Sequence, residues 1–496
     1  MYDPLVANNA RILDPTKASR RTDDDFDTTV YVADTLLFRD DPDGELISAF
    51  NTFLTSEQLP LAAVVDGNDR ELWRRAQAIE GRPGNTLRST WVTPTRIVVL
   101  DKRAAPIDAW ALLQGFRATL EPDQVYRVGL GHLLSADIRG ATMTAGGTMT
   151  AGVTITAGGT MTAGGTMTAG GGVRFQYAVP GLGGRTPVSY AGPAPAPREL
   201  SHRSPVVAVL DTGVGCHDWL RDRVHVEAAP LEPAVAQGDE PEQSGDVLAT
   251  LEGLLDDYAG HGTFIAGILR QRCPEAEILM IKVMEADGFV PEETMVRAIS
   301  TIAVEHLSGS RRIDALSMSF GYYHEEPDDK KTDATLIGPL AALAASGVAL
   351  FASAGNDATT RRMYPAAFST RIDVVSVGAL NPNGTIALFS NSGDWVTAWD
   401  WGAQVLSTQP TTFGGSLEPT ARTTDPWAGG TRESLDPDDF AQGFATWSGT
   451  SFAAPGVAGR YLRHLIESRD DASPAEVLAD PRAALKAALN ELPKRH

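Results

Sequence analysis

The alternation of apolar runs and amphipathic stretches between residues 205 and 467 constrains the fold of this chain most strongly. Uninterrupted apolar runs are typical of strands that are buried on both faces of a parallel sheet. They lie at 206–210, 278–283, 313–318, 348–352 and 372–377. Helical patterns separate them at 262–271, 292–307 and 335–345. This order predicts an α/β fold, a doubly wound parallel sheet with helices on both faces, whose functional groups collect at the carboxyl ends of the strands.

The N-terminal part of the chain has a different pattern. Residues 28–33 and 96–100 are rich in Val, Ile and Thr, which predicts strands. Residues 71–79 and 107–120 carry apolar side chains three and four positions apart, which predicts helices. This part is therefore expected to be a small α/β domain, and it contains no catalytic motif.

A low-complexity stretch separates the two parts. Residues 142–171 read TMTAGG, TMTAGV, TITAGG, TMTAGG and TMTAGG, and Pro- and Gly-rich chain follows. Five hexads are too few to stack a stable β-solenoid, so a flexible tether is favoured over that alternative. The predicted organisation is a tail (1–27), the small α/β domain (28–135), a repeat and Pro/Gly linker (136–204), the larger α/β domain (205–467) and a helical tail (468–496).

Charge and cysteine content restrict the partners and the compartment. The formal net charge is −21, and binding to phosphates requires a basic surface, so we expect no nucleic-acid partner. No run of about 18 uncharged apolar residues is present, so we expect no membrane partner. The N-terminus shows no secretory signal, and Cys216 and Cys273 are too few for a disulfide framework. These features predict a cytoplasmic protein.

Two motifs place titratable side chains where predicted strands or helices begin or end. Asp211 directly follows the apolar run 206–210, and His261 lies between two glycines at the start of a predicted helix. Each motif alone is weak, because Asp after a strand also occurs in turns and metal sites, and a lone His is more often structural. Together they form the carboxylate–imidazole pair that nucleophilic catalysis uses, in which the carboxylate fixes the tautomer of the ring.

Two further motifs add a hydroxyl and an amide. Ser451 follows a turn of small residues and begins a helix predicted to end near residue 467, where N–H groups favour negative charge. Asn356 follows another strand, where its amide is able to donate a hydrogen bond to an oxyanion. The simpler alternatives are a helix cap for Ser451 and a left-handed turn at Asn356.

Together these four motifs resemble those of the subtilisin-like serine proteases, the subtilase family, which have the same Asp, His, Ser order. The resemblance covers roughly residues 205–467 and implies a serine endopeptidase that acts through an acyl-enzyme on proteins or peptides. Ser451 would attack the peptide carbonyl and His261 would transfer the proton. Asp211 would orient the imidazole, and Asn356 would hold the oxyanion together with the Ser451 N–H.

The resemblance also implies a substrate groove. An extended peptide would pair with a strand edge through main-chain hydrogen bonds, which depend little on sequence. One wall of the pocket for the residue before the cut is expected at 319–321, the other at 353–355, and a second flanking segment at 288–290. The expected substrate-binding residues are thus Ser319, Phe320, Gly321, Ser353, Ala354, Gly355, Gly288, Phe289 and Val290.

The chain departs from the family pattern in its loops. Asp211 and His261 are separated by a long acidic segment that includes Glu242, interpreted as a solvated surface loop or as an acidic rim that favours basic substrates. A second insertion covers about residues 408–444. It is interpreted as a lid over the site or as a simple surface loop. The loop that builds the strong calcium site of secreted relatives is missing, so we expect no metal ion and no cofactor.

The sequence allows more than one form of regulation and more than one fate of the acyl group. In secreted relatives a small α/β prodomain chaperones and inhibits the catalytic domain, and residues 28–135 occupy that place. They are expected to restrain the protease or to bind a regulatory partner. The rival functions are a catalytically silent binding or signalling module, and a peptide ligase or cyclase that passes the acyl group to an amine. None of the four motif residues is missing, which disfavours the silent module.

Overall fold

The computed structural model describes most of the chain, with gaps that include the repeat. The described residues are 3–18, 26–41, 43–101, 106–136, 184–189, 191–228, 242–248, 253–326, 335–470 and 481–494. The choice between solenoid and tether concerns residues outside these ranges. No helix within them has the length and apolar character needed to cross a membrane.

The described chain up to residue 136 forms an antiparallel sheet with helices against it. The helices are α1 (Pro4–Ala7), α2 (Glu45–Ser56), α3 (Gly67–Gln77), α4 (Gly81–Ser89) and α5 (Ala109–Arg117). The strands are β1 (Ala10–Leu13), β2 (Thr29–Arg39), β3 (Leu61–Val64), β4 (Val92–Val99) and β5 (Val128–Ser135), with a 3-10 turn at Val125–Arg127. α2 packs on this sheet because Leu46, Phe50 and Leu54 recur on one face and are buried.

The remaining chain contains the other elements. Its helices are α6 (His261–Arg272), α7 (Glu292–Leu307), α8 (Ile337–Ala345), α9 (Thr450–Asp470) and α10 (Pro481–Asn490), with 3-10 turns at Asp218–Leu220 and Ala366–Thr370. Its strands are β6 (Thr186–Val188), β7 (Val206–Asp211), β8 (Val224–Ala228), β9 (Glu277–Lys282), β10 (Phe289–Pro291), β11 (Ala315–Met318), β12 (Ala349–Ser353), β13 (Val374–Leu380), β14 (Ala398–Trp401), β15 (Val405–Thr408), β16 (Arg422–Thr424), β17 (Thr431–Glu433) and β18 (Phe444–Trp447).

Seven of these strands form the predicted parallel sheet. The order is β14-β13-β12-β11-β7-β9-β8, and every neighbouring pair is parallel. Helices α7 and α8 pack on one face and contribute Ile299 and Leu340 to its core. Helices α6 and α9 pack on the other face, with Phe264 and Val457 in a second core. The continuous apolar runs are therefore buried from both sides, and the predicted fold class is confirmed.

The N-terminal sheet packs against the outer side of α7 and α8. Leu37 and Trp91 belong to the same packed cluster as Ile299, so no layer of solvent separates the two parts of the chain. The Arg297 guanidinium donates to both oxygens of Asp69, at 2.9 and 3.1 Å. Strand β5 also pairs with β10, so the N-terminal sheet includes a strand of the larger part.

The predicted elements are present, with shifted ends. The helix predicted over 292–307 has those bounds, whereas the strand predicted over 28–33 continues to Arg39. Helix α1 and strand β1 lie in the stretch predicted as an N-terminal tail, and β1 pairs with β2. The insertion at about 408–444 contains an exposed hairpin of β16 and β17. The sequence pattern does not predict these elements, because each is too short to show a periodicity.

Strand β6 shows how the chain rejoins the larger part after the repeat. Its residues Thr186–Val188 pair antiparallel with β18, which ends at Trp447 just before the Ser451 motif. The segment that follows the low-complexity stretch is thus anchored beside the start of α9.

Candidate active site

The carboxyl end of the parallel sheet brings the predicted catalytic side chains together. Asp211 is the last residue of β7, His261 is the first residue of α6, and Ser451 is in the first turn of α9. All three are buried, with exposed fractions of 0, 2 and 2%. The glycines beside His261 allow this approach: a Cβ at Gly262 would lie 2.2 Å from the carbonyl oxygen of Gly213.

Asp211 and His261 form the expected pair. The His261 Nδ1 lies 2.8 Å from the Asp211 Oδ1, so this nitrogen carries the hydrogen when the carboxylate accepts. The ring is confined by Trp447 and Phe452, whose ring centroids are 5.8 and 5.4 Å away. The pairing leaves the Nε2 side of the imidazole for proton transfer, because Nδ1 is committed to the carboxylate.

The Ser451 hydroxyl contacts the N-terminal part of the chain. Its Oγ donates to the carbonyl oxygen of Ala136 at 3.0 Å, across 315 positions of sequence. Between the described residues, no hydrogen bond joins this hydroxyl to the His261 ring. The position of the hydroxyl therefore depends on a peptide carbonyl of the same chain.

The predicted amide, Asn356, is held next to the Ser451 turn. Its Oδ1 accepts hydrogen bonds from the Thr450 N–H at 2.8 Å and from the Thr450 hydroxyl at 2.9 Å. The Thr450 Oγ1 in turn accepts from the Gly355 N–H at 3.0 Å. Because Oδ1 is used as an acceptor, the amide nitrogen faces the other way, 3.6 Å from the position of a Cβ at Gly449. Thr450 was not predicted to be functional, although it is adjacent to Ser451.

The two segments predicted to flank a substrate lie on either side of one extended strand. Ser135 exchanges backbone hydrogen bonds with Gly321, at 3.0 and 2.8 Å. The Ala136 N–H donates to the Gly288 carbonyl at 2.8 Å, and Leu134 is opposite Val290 in the β5–β10 ladder. The end of β5 thus occupies the predicted groove and forms main-chain bonds of the kind that an extended peptide would form.

The remaining predicted substrate residues surround the same groove. The Ser319 hydroxyl donates to the backbone oxygen of Ser451 at 2.9 Å. Ala354 is held by Asn391, whose Nδ2 donates to its carbonyl at 2.9 Å. Phe320 and Ser353 are buried at exposed fractions of 0 and 1%.

Glu242 is a buried carboxylate near Asp211. The sequence had instead predicted that it lies in a solvated acidic segment. It is 1% exposed and accepts from the Thr212 hydroxyl at 2.7 Å and the Thr263 hydroxyl at 2.6 Å. Burial raises the pKa of Glu242 to about 7, against the lowering effect of both threonine hydroxyls, and the nearby Asp211 also raises it. For this residue both interpretations of the acidic segment are wrong, and nothing in the sequence distinguished it from its acidic neighbours.

One group of described side chains has the spacing of metal ligands. Ligand atoms of His132, His324 and Glu325 lie within 4.8 Å of one another. The two ring nitrogens of His132 are, however, already bonded to carboxylates, 2.6 Å from Glu292 and 2.7 Å from Glu325. We therefore describe this group as an ion-pair network between the two parts of the chain.

Comparison with known proteins identifies the family. A family model described as the Subtilase family matches residues 202–490, more than half of the chain. The chain belongs to the subtilase family. The family recognition and the enzyme class, a subtilisin-like serine endopeptidase, are thus confirmed.

Individual relatives of this subtilase are distant. It is 28% identical over 290 residues to the "Intracellular serine protease" of Paenibacillus polymyxa, covering 55% of this chain and 70% of the relative. It is 28% identical over 247 residues to "Subtilisin BL" of Lederbergia lenta, covering 48% and 78%. Among solved structures, a cold adapted subtilisin-like serine proteinase matches with a TM-score of 0.38 and 20% identity, covering 57% of this chain and 80% of that one.

We expect Glu242→Gln to remove a pH dependence of stability. The folded protein has a raised Glu242 pKa of about 7, whereas the unfolded chain ionises near 4.5. The wild-type free energy of unfolding should therefore fall, relative to the variant, as the pH rises from about 4.5 to about 7. The expected change is a few kcal/mol, at about 1.4 kcal/mol per pKa unit.

Urea unfolding followed by circular dichroism at several pH values measures this difference. Glu418→Gln is the matched control, because it removes the same carboxylate from a side chain that is 74% exposed. A difference between wild type and Glu242→Gln that stays constant with pH would contradict the assignment.

Proposed function

We propose that this subtilase hydrolyses peptide bonds with Asp211, His261 and Ser451 as its catalytic triad and Asn356 as an oxyanion donor. The observation that carries the proposal is a peptide carbonyl held 3.0 Å from the Ser451 Oγ in a site that also contains the Asp211–His261 pair. An alcohol oxygen, a carbonyl and an oriented imidazole in one buried site are the components of acyl transfer.

The proposed reaction proceeds in two steps. The Ser451 Oγ bonds to the carbonyl carbon while its proton moves to the His261 Nε2, and the oxyanion is held by the Asn356 amide and the Ser451 N–H. The C–N bond then breaks, and the amine leaves with the proton from His261. Water, deprotonated by the same imidazole, cleaves the ester and restores the serine. Asp211 stabilises the charged ring throughout.

We further propose that the predicted domain of residues 28–135 restrains this site. The end of β5 lies in the groove between Gly288 and Gly321. The carbonyl oxygen of the next residue, Ala136, accepts a hydrogen bond from the Ser451 hydroxyl. A substrate would need the same backbone donors and acceptors. Occupation of the groove by the chain itself therefore competes with binding of a substrate.

The restraint extends beyond the groove. The Thr29 hydroxyl donates to the Tyr323 carbonyl at 2.5 Å, and the Asp27 N–H donates to the Glu325 carbonyl at 2.7 Å. His132 of β5 is 1% exposed and lies between Glu292 and Glu325. These contacts add to the backbone hydrogen bonds in the groove, and together they hold the segment in place.

Protein or peptide chains are the proposed substrates, and the cytoplasm is the proposed compartment. The cysteines are free, Cys216 exposed and Cys273 buried. A resemblance to a relative named as an intracellular protease supports the same assignment. Fractionation of cells that produce the native chain tests it.

Ser135→Pro is expected to release the restraint. Proline has no N–H, so the bond from Ser135 to the Gly321 carbonyl is lost and the fixed ring disturbs the ladder. We expect the rate of fluorophosphonate labelling at Ser451 to rise by roughly tenfold, since a net hydrogen bond of ~1 kcal/mol changes an equilibrium about fivefold and the strain adds to it.

Ser135→Ala is the matched control, because it leaves the backbone bonds of the segment intact. Labelling is located by mass spectrometry of the full chain. Equal labelling rates for the proline and alanine variants would show that the segment does not restrain the site.

Substitutions of the proposed catalytic residues, made in the Ser135→Pro chain, test the mechanism. Ser451→Ala is expected to lower kcat by about six orders of magnitude, and Asn356→Ala by about two to three. His261→Ala should abolish labelling of Ser451. Undiminished peptide cleavage by the Ser451→Ala protein would overturn the assignment, and a folded but unlabelled protein would favour a silent binding module.

A separate reaction with an added amine acceptor distinguishes hydrolysis from ligation, because mass spectrometry of the products shows whether water or the amine has taken the acyl group.

The restraint should weaken at high pH through His132. Burial alone would lower the pKa of His132, but the carboxylates of Glu292 and Glu325 outweigh it and raise the pKa to about 10. The rings of Tyr322 and His324 also face the imidazole, at 4.6 and 4.9 Å between centroids. The docked state thus keeps a proton that free histidine loses near pH 6.5. The stabilisation of the docked state by protonated His132 is complete below pH 6.5 and is lost as the pH rises through about 10.

The measurement compares Ser451 labelling in wild type with labelling in Ser135→Pro between pH 6 and 10. The ratio of the two rates removes the pH dependence of the chemistry itself and should approach one as the pH rises. In His132→Gln the ratio should be independent of pH. A wild-type ratio that does not change over this range would exclude His132 as the source of the docking energy.

A further inference from the structure

Arg185 reaches the active site from the segment that follows the repeat. It lies one residue before β6, in the stretch of residues 136–204 that is predicted as a linker, and its side chain is partly buried. β6 is held in place by its pairing with β18, in which Thr186 lies opposite Thr446. The proposed mechanism gives Arg185 no role.

The Arg185 guanidinium binds the loop that leads into His261. It donates to the carbonyl oxygen of Asp256 at 3.2 Å and also to that of Ala259. Ala259 is two residues before His261, and the residue between them, Gly260, has a left-handed φ of 80°. The two hydrogen bonds therefore tie this loop to the segment after the repeat at the point where α6 begins.

The same guanidinium lies against an aromatic ring that packs on the imidazole. The Arg185 Cζ is 5.1 Å from the ring centroid of Trp447, a distance at which the face of an indole attracts a cation. The Trp447 and His261 ring centroids are 5.8 Å apart, with their planes at 90°. The Phe440 ring also faces the guanidinium, at 5.6 Å from its Cζ. Arg185 thus contacts both the loop before His261 and the ring beside it.

Acidic residues surround Arg185. Burial lowers the pKa of Arg185 to about 10, and the nearby acidic groups of Asp257, Glu242, Asp256 and Asp438 oppose this effect. A group with this pKa is a cation at neutral pH. The first three acids lie between Asp211 and His261 in sequence, and the fourth lies in the insertion at about 408–444. Both insertions and the segment after the repeat therefore meet at this one cation.

We propose that Arg185 is a positioning residue for His261. By holding the Ala259 carbonyl and the Trp447 ring, it keeps the imidazole oriented toward Asp211. This role rests on the proposed function, because the imidazole is the proposed base. The physical basis is geometric: a catalytic group that is misplaced by about 1 Å lowers the rate about 100-fold.

The proposal also changes the boundary of the catalytic unit. The predicted peptidase domain begins at residue 205, and a unit with that boundary lacks both Arg185 and β6. The functional unit would instead include residues 184–188, which the repeat precedes in sequence.

The test measures peptide hydrolysis and Ser451 labelling by the full chain carrying Ser135→Pro. Adding Arg185→Met removes both hydrogen bonds and the charge but keeps an apolar side chain. We expect kcat to fall by about 100-fold while KM changes much less, because Arg185 contacts the surroundings of the base. Arg221→Met is the matched control, because it removes the same group from a side chain that is 74% exposed.

Two forms of rescue distinguish positioning from a contribution to stability alone. Arg185→Lys keeps the charge and one donor group, so it should retain more of kcat than Arg185→Met. Arg185→Ala leaves space for a free guanidinium ion. Guanidinium chloride, at concentrations far below those that unfold the protein, should restore part of kcat to this variant, whereas sodium chloride at the same concentration should not.

The outcomes separate this inference from the proposed function. Absence of both cleavage and Ser451 labelling in the Ser135→Pro chain, before any change at Arg185, would defeat the proposed function. An unchanged kcat in Arg185→Met, or a change in KM alone, would overturn the positioning role and leave the mechanism intact. A lower kcat that neither lysine nor guanidinium restores would make the role of Arg185 merely structural. Thermal unfolding checks each variant; if Arg185→Met does not fold, kcat of Arg185→Lys decides.

Discussion

The buried hydrogen bond between Asp211 and His261 is the interaction on which the rest of the site depends. It requires a strand that ends inside the protein and a helix that begins against that end, so the backbone there is shaped around it. Thr212 shows this: its N–H donates to the Asp211 carboxylate at 2.9 Å, and its hydroxyl accepts from the Gly262 N–H at 3.0 Å. Taking a carboxylate out of water is tolerated because it is paired and hydrogen-bonded.

Glu242 is a second buried carboxylate that is stabilised by hydrogen bonds. The carboxylate accepts from the hydroxyls of Thr212 and Thr263 and from the Gly260 N–H at 3.1 Å, so it connects the strand that carries Asp211 with the helix that carries His261. A buried acid next to another acid is costly, which its raised pKa expresses.

The groove accepts a strand of its own chain for the reason that it would accept a substrate. Backbone N–H and C=O groups are the same in every peptide, so pairing with Gly321 and Gly288 selects an extended conformation and not a sequence. The distant contacts at His132 add what the backbone bonds lack, an interaction particular to this N-terminal segment.

The sequence predicted the fold and the four motif residues because these signals are local. Apolar runs at 206–210 and 348–352 indicate buried strands, and the residues that follow them must lie at one edge of the sheet. Glu242 has no such signal, because it lies in a segment of many acidic residues. The pairing of Ser135 with Gly321 joins residues 186 positions apart (321 − 135), and no periodicity encodes a contact of that kind.

By itself, the sequence determined the longer strands and helices and the order of the chemical groups along them, because hydrophobic periodicity and capping act over a few neighbouring residues. Only the tertiary structure decided that the end of β5 lies between Gly288 and Gly321, and that a carboxylate from the acidic segment lies behind the Asp211–His261 pair. Those features arise from packing between distant segments, where the energy of each contact depends on the position of all the others.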